Sequence, residues 1–273
     1  MRRTVPLALL SGLMIALAAT LASGSSRTAA VAEGGCSNHS LSGAYGFIIH
    51  GQAFGTTGQE AAEFADAGRI VFDGLGNLHG TDTESLNGLI NKGLIFTGTY
   101  SAQTDCTGTA TIQGGLTANL RFTLIEGGQE ADAIDTDPGV VAAGQISKIQ
   151  LEQCSNETLK GAYAFAESGS AYGPGGEVGD VAAYGRIVFD GRGNDTETSQ
   201  ASFNGFQNAD TQTGTYSTNP DCTGSAVSTH HPSGTVDTVD FVMVEGGTEA
   251  KFIVTSPGAV FAGTVDKQPL DAD

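Results

Sequence analysis

The chain has 273 residues, 40 of them glycine and none tryptophan; only 15% are charged, and the formal net charge is minus 18. An apolar content of 39% is too high for a disordered chain. Acid spread along the whole length argues against nucleic acid as a partner, because phosphate binding relies on neutralisation by Lys and Arg.

Residues 1–24 open on Arg2 and Arg3, run through an apolar stretch from Val5 to Leu21 and end at Ala22-Ser23-Gly24. That is the pattern of a secretory signal peptide. Its cleavage would leave no membrane span and a secreted, periplasmic or cell-surface bacterial protein. Residues 25–35 are small, polar and aperiodic, and read as a disordered leader.

From Cys36 onwards the chain reads as strands. Tyr45, Phe47 and Ile49 alternate on one face. Further β-branched and aromatic runs at 64–73, 77–85, 93–101, 107–113, 117–126, 129–135 and 140–148 bring the count to eight. Short turns between them favour an antiparallel meander. A linker, 149–153, leads into a second copy at 154–267, followed by a tail, 268–273. The ten residues Gly68–Asn77 and Gly185–Asn194 differ only at Leu75 against Arg192. Cys154 lies 118 residues after Cys36, Gly185 lies 117 after Gly68, Tyr216 lies 116 after Tyr100 and Pro257 lies 119 after Pro138. The chain is therefore a duplication of the unit 36–148, with loop changes of one to three residues.

So many strands must close or stack to avoid long unpaired edges. The expected fold is all-β, two tandem eight-stranded antiparallel calycin-like barrels, with β-sandwiches as the alternative. A barrel of that size has room for side chains or one small ligand. The four cysteines recur at the same two places per copy, which pairs Cys36 with Cys106 and Cys154 with Cys222 in an exported protein. A closed loop of that length is worth roughly 4 kcal/mol in the chain-entropy picture.

No Cys-x-x-Cys pair occurs and no histidine recurs between copies, so neither a zinc site nor any other metal or cofactor is expected. His230-His231, before Pro232, reads as a solvated turn. Polar residues shared by both copies are Asn38/Asn156, Arg69/Arg186, Asp73/Asp190, Asn77/Asn194, Glu126/Glu245 and Glu130/Glu249. Asp73 and Asn77 frame a turn whose Asx side chains bond local amides; a calcium loop would need spaced carboxylates that are missing. Asn38 and Asn156 read as caps on the turn after each cysteine. If Ile70 and Phe72 face inward, Arg69 faces out; in the opposite register it would need Glu126 or Glu130 as a partner. Glu126, Glu245, Arg69 and Arg186 are the candidate ligand-binding residues. Common hydrolase and nucleotide motifs are absent.

The text Cys-Ser-Asn-x-[Ser/Thr]-Leu-x-Gly-Ala-Tyr, then Gly-Arg-Ile-Val-Phe-Asp-Gly-x-Gly-Asn, then Thr-Gly-Thr-Tyr-Ser…Asp-Cys-Thr-Gly, in both copies, resembles secreted bacterial proteins with an allene oxide cyclase-like barrel domain. That resemblance implies an eight-stranded calycin-like barrel. The plant enzymes that give the barrel its name cyclise an unsaturated fatty-acid epoxide in an apolar cavity without a cofactor. Shared architecture does not carry shared chemistry. Two functions are therefore expected: a non-catalytic binding or cell-surface module for a small apolar ligand or, as the alternative, an isomerase or cyclase acting on a lipid-like substrate. An open apolar lumen with a converging carboxylate would favour the enzyme, and a lumen packed solid with Tyr45, Phe47, Ile70, Phe72 and Phe122 the module.

Overall fold

The computed structural model describes residues 35–114 and 117–269. The expected signal peptide, the leader up to residue 34 and the tail beyond residue 269 lie outside the described residues. The first eight strands are β1 (Ser42–Phe54), β2 (Glu60–Asp73), β3 (Asn77–Leu86), β4 (Leu89–Ala102), β5 (Thr107–Gly114), β6 (Ala118–Ile125), β7 (Glu130–Asp135) and β8 (Val140–Lys148). Each pairs antiparallel with the next, and β8 pairs with β1 to close a barrel. β9 (Lys160–Gly173), β10 (Gly176–Asp190), β11 (Asn194–Phe203), β12 (Phe206–Thr218), β13 (Thr223–His231), β14 (Val236–Val244), β15 (Glu249–Val254) and β16 (Ala259–Lys267) close a second barrel in the same way. Two barrels in tandem, rather than sandwiches, leave no free sheet edge.

Strand β4 begins at Leu89, four residues before the expected start at Gly93. Gly93 is a bulge: Asp82 pairs with Leu94 and Thr83 with Lys92, leaving Gly93 unmatched at φ 67. The corresponding β11–β12 ladder has no such shift. The fall in repeat offset from 117 to 116 therefore sits inside a strand and not in a loop as expected.

One end of each barrel is sealed by aromatic rings. Tyr45 meets Phe72 edge-on with centroids 5.3 Å apart, and Phe72 meets Tyr100 at 5.0 Å. Tyr163, Phe189 and Tyr216 repeat the stack at 5.4 and 5.0 Å, a geometry that suits the ring quadrupoles. The buried tyrosine hydroxyls are satisfied: Tyr45 donates to the Gly128 carbonyl and Tyr100 to the Leu41 carbonyl, both at 2.8 Å. Each staple forms beside this floor, Cys36 to Cys106 and Cys154 to Cys222, with Cα atoms 4.9 Å apart.

The shared turn residues hold the hairpins. Asp73 Oδ1 accepts from the amides of Leu75 and Asn77, and its Oδ2 from the Asn77 side chain; Asp190 does the same in the second copy. The caps after each cysteine are Ser37 and Ser155, not Asn38 and Asn156. Those asparagines instead accept from the amides of Ala102 and Thr218 at 2.8 Å.

The barrels pack outer wall to outer wall, β1–β3 against β14–β16. Ala65, Ala67, Ile253, Val260 and Ala262 form a buried apolar seam. The approach is close enough that a Cβ on Gly46 would lie 2.6 Å from Val244. Polar pairs flank the seam: Thr83 Oγ1 donates to Asp240 at 2.9 Å, Lys92 Nζ reaches the same carboxylate at 2.9 Å, and Tyr172 donates to Glu63 at 3.1 Å. Lys251, fully buried on the outer face of β15, is held by Glu249 at 2.7 Å.

Candidate functional site

Above the aromatic floor the first barrel is open. A cavity of about 240 Å³ is walled largely by apolar side chains, among them Phe47, Ile49, Ile70, Phe96, Leu120 and Ala142. Alternation on β2 and β3 puts Asp66 on the same face as Ile70, and Asp82 and Glu84 on the same face as Leu78. These three carboxyls line the cavity, with Asp135 from β7. Asp66 is 6% and Glu84 4% exposed. Asp66 Oδ1, Asp82 Oδ1 and Glu84 Oε1 are buried without a hydrogen-bond partner, while Glu84 Oε2 accepts from Asn91 at 3.0 Å. Burial, with Asp82 and Glu84 nearby, pushes Asp66 well above the usual carboxylate range. Burial and Glu84 push Asp82 up to about 6. Burial also raises Asp135. A carboxyl so placed carries a proton at a pH where a surface one would not.

The second barrel is filled further. Its cavity is about 100 Å³. Across the 119-residue offset, Phe252 stands where the first copy has Ala133, and Phe261 where it has Ala142; both rings belong to the second core. Its acids differ as well. Glu167 replaces Ile49, Glu197 replaces Gly80 and Asp237 replaces Ala118, and all three line the cavity. Here the fold brings its own base. His230 bonds Asp210 through Nδ1 and lies 2.7 Å from Asp237 Oδ2 through Nε2. Burial pulls the imidazole down, but the bonds to Asp237 and Asp210 outweigh it and raise its pKa. Burial pushes Glu167 and Glu197 up to about 7, their mutual and neighbouring acidic charges adding, with His230 opposing. Gln212 donates to Glu197 at 2.8 Å. Below the cavity, Asp195 occupies the place of Leu78, packed on Gly214 with neither oxygen bonded. Burial raises it to about 6.

His230 and His231 lie at the end of β13 and not in a solvated turn; His231 shares a 2.9 Å hydrogen bond with Thr213. Glu126 is exposed in the β6–β7 turn at φ 50, and Glu245 holds the same conformation between β14 and β15. Glu245 is pushed up to about 7, first by its hydrogen bond with Glu130 of the first barrel and then by burial. Neither glutamate lines a lumen cavity. Ile70 and Phe72 are core residues, so Arg69 faces outward, into a groove between the barrels with Asp240 and Asn219, its Nε buried without a partner. Arg186 is exposed and donates to Gln268 at 3.0 Å.

The lumen acids escaped the sequence reading because it weighed polar residues common to both copies. The available signal was parity. Asp66, four residues before Ile70 and six before Phe72, is a charge on the apolar face of a strand. Among the described residues no group of three or more His, Cys, Asp or Glu side chains is placed to hold a metal ion, and no helix is long and apolar enough to cross a membrane.

Neither protein-family models nor curated proteins match the chain. Among solved structures, one described as "Crystal structure of CghA" matches over 85% of this chain and 90% of that one, at 9% identity and a TM-score of 0.26. That overlay is too loose to bear on function.

Proposed function

We propose that this is an exported binding module whose first barrel takes a small, largely apolar ligand into its lumen. The observation that carries the reading is the 240 Å³ cavity, walled mostly by apolar side chains and carrying four carboxyls, Asp66, Asp82, Glu84 and Asp135. Pockets of this kind, mostly hydrophobic with a few convergent polar groups, are the usual form of small-molecule sites. Two disulfides fit an oxidising compartment outside the cytoplasm, and the allene oxide cyclase-like resemblance fits a lumenal ligand.

The test uses N-phenyl-1-naphthylamine, a neutral dye that brightens in apolar surroundings; without tryptophan, the protein adds little emission of its own. Saturable brightening, reversed by octanol, is expected. A dye that stays dark sinks the proposal.

A second reading, an isomerase or cyclase on a lipid-like substrate, draws on Asp66 and Asp82, whose burial favours the protonated carboxyl. Such a group is poised as a general acid toward an epoxide or carbonyl oxygen. It predicts turnover that Asp66→Asn and Asp82→Asn abolish while dye binding persists.

A further inference from the structure

Acids line both lumens, but only in the second does a base, His230, bond one of the lining carboxyls. The lining of the first includes Asp66, Asp82, Glu84 and Asp135 but, among the described residues, no Lys, Arg or His. Asp66 and Glu84, both more than nine-tenths buried, line the cavity, and each has a carboxyl oxygen with no hydrogen-bond partner among the described residues. Buried polar atoms almost always have partners, so unbonded carboxyl oxygens on side chains that line a cavity mark where a ligand's donors fit.

Lys92, on the strand that pairs with β3, is turned away. Counting back from Leu94, strict alternation would place Lys92 inside the barrel beside Glu84. The extra residue Gly93 resets the alternation, so Asn91 faces the lumen and donates to Glu84. Lys92 then faces the other barrel, where it reaches Asp240 at 2.9 Å and Thr255 at 3.1 Å. The remaining nearby cations are likewise engaged or outside: His50 bonds Glu63 at 3.0 Å, Lys148 lies over the Tyr45 ring and Arg69 is on the outer wall.

The second copy shows how this fold neutralises a lumen acid cluster when it does so alone. His230 sits between Asp210 and Asp237. The matching position in the first copy, at the 116-residue offset, is Gly114. The first lumen thus has the acids and the space but, among the described residues, no base lining it.

We infer that the first lumen selects amphiphiles that carry a basic amine at the polar end, in preference to fatty acids and neutral alcohols. This rests on the lumen-binding reading above. An amine enters either as its ammonium ion, donating to the free oxygens of Asp66 and Glu84, or as free base, its lone pair taking the carboxyl proton to form the same ammonium–carboxylate pair. A carboxylate ligand would instead bring a fifth acid into the lumen with no cation to meet it, a like-charge cost that works as selectivity.

The experiment is displacement of N-phenyl-1-naphthylamine by octylamine, octanol and octanoate, which share one chain and differ in the head group. Octylamine should displace the dye at a concentration at least tenfold below octanol, with octanoate weakest. In the variant Asp66→Asn with Glu84→Gln, amides of nearly the same shape, octylamine should fall to the level of octanol while octanol itself is unchanged, which also reports that the barrel has folded. Octanoate equal to or better than octylamine, or an amine preference that survives both amides, overturns the inference alone. Failure of all three to displace the dye overturns the lumen reading beneath it.

Discussion

The two barrels share a floor, a staple, a turn and a strand order, and they differ in what their walls enclose. In the first, alanines at 133 and 142 leave a cavity and its acids stand without a base. In the second, Phe252 and Phe261 take up the space and His230 answers two of the acids. Duplication kept the residues that make the chain fold, the inward-facing rings of the floor among them, and released several inward-facing positions above it. Lumen chemistry in this fold is therefore set by a few positions that leave the frame untouched.

The largest effect should come from removing the base of the second barrel. His230→Leu leaves Asp210 and Asp237 facing each other across an apolar side chain. Since His230 is partly exposed, a loss of about 2–3 kcal/mol at pH 7 is expected, toward the low end for a broken buried pair. Urea unfolding should show that loss growing from pH 8 to pH 5, as the raised imidazole takes up its proton and pairs with both carboxylates; a loss that does not change with pH would mean packing, not charge, set the cost.

A change of opposite sign should follow when the second barrel is given the first one's residue. Asp195→Leu copies Leu78, and the first copy already packs that leucine on Gly98, the counterpart of Gly214. Deleting a buried, unbonded carboxyl should stabilise by about 2 kcal/mol. Destabilisation would show that Asp195 has a partner that the contacts around it do not reveal.

A smaller effect is shared by both barrels. Asp82 and Asp195 near 6, and Glu167 and Glu197 near 7, have folded pKa values above their ordinary ones. The native state therefore binds more protons than the unfolded chain, so this stabilisation is present below about pH 4 and is lost as pH rises through 7. His230, also raised, acts in the same direction. Asp73 and Asp190, held near 2 by their Asn partners, oppose it only in stronger acid. The melting temperature should thus climb by a few degrees from pH 8 to pH 5, about the shift that 1 kcal/mol gives in a chain of this size. A fall over that range would contradict the buried-acid account.

The frame was legible because it rests on local rules. Tyr45, Phe47 and Ile49 showed a strand by alternation, Asp73 and Asn77 showed a hairpin by turn chemistry, and recurring cysteines showed their pairing. The site was harder to see. Looking for shared polar residues led to Glu126 and Glu245, which the duplication preserves in a left-handed turn, and to Arg69, which stands on the outer wall. Asp66, Asp82 and Glu84 have no acidic partner in the second copy, so only their face on the strand betrays them. Gly93 looked like the start of a strand because one residue cannot reveal a bulge until its neighbours' pairing is known.

The most direct measurement is to give the first barrel the second one's filling. In Ala133→Phe with Ala142→Phe, a cooperative melt would confirm folding, and binding of N-phenyl-1-naphthylamine, one molecule per wild-type chain, should disappear. Dye binding that survives in the filled variant at the same stoichiometry would contradict the claim that the first lumen is the ligand site.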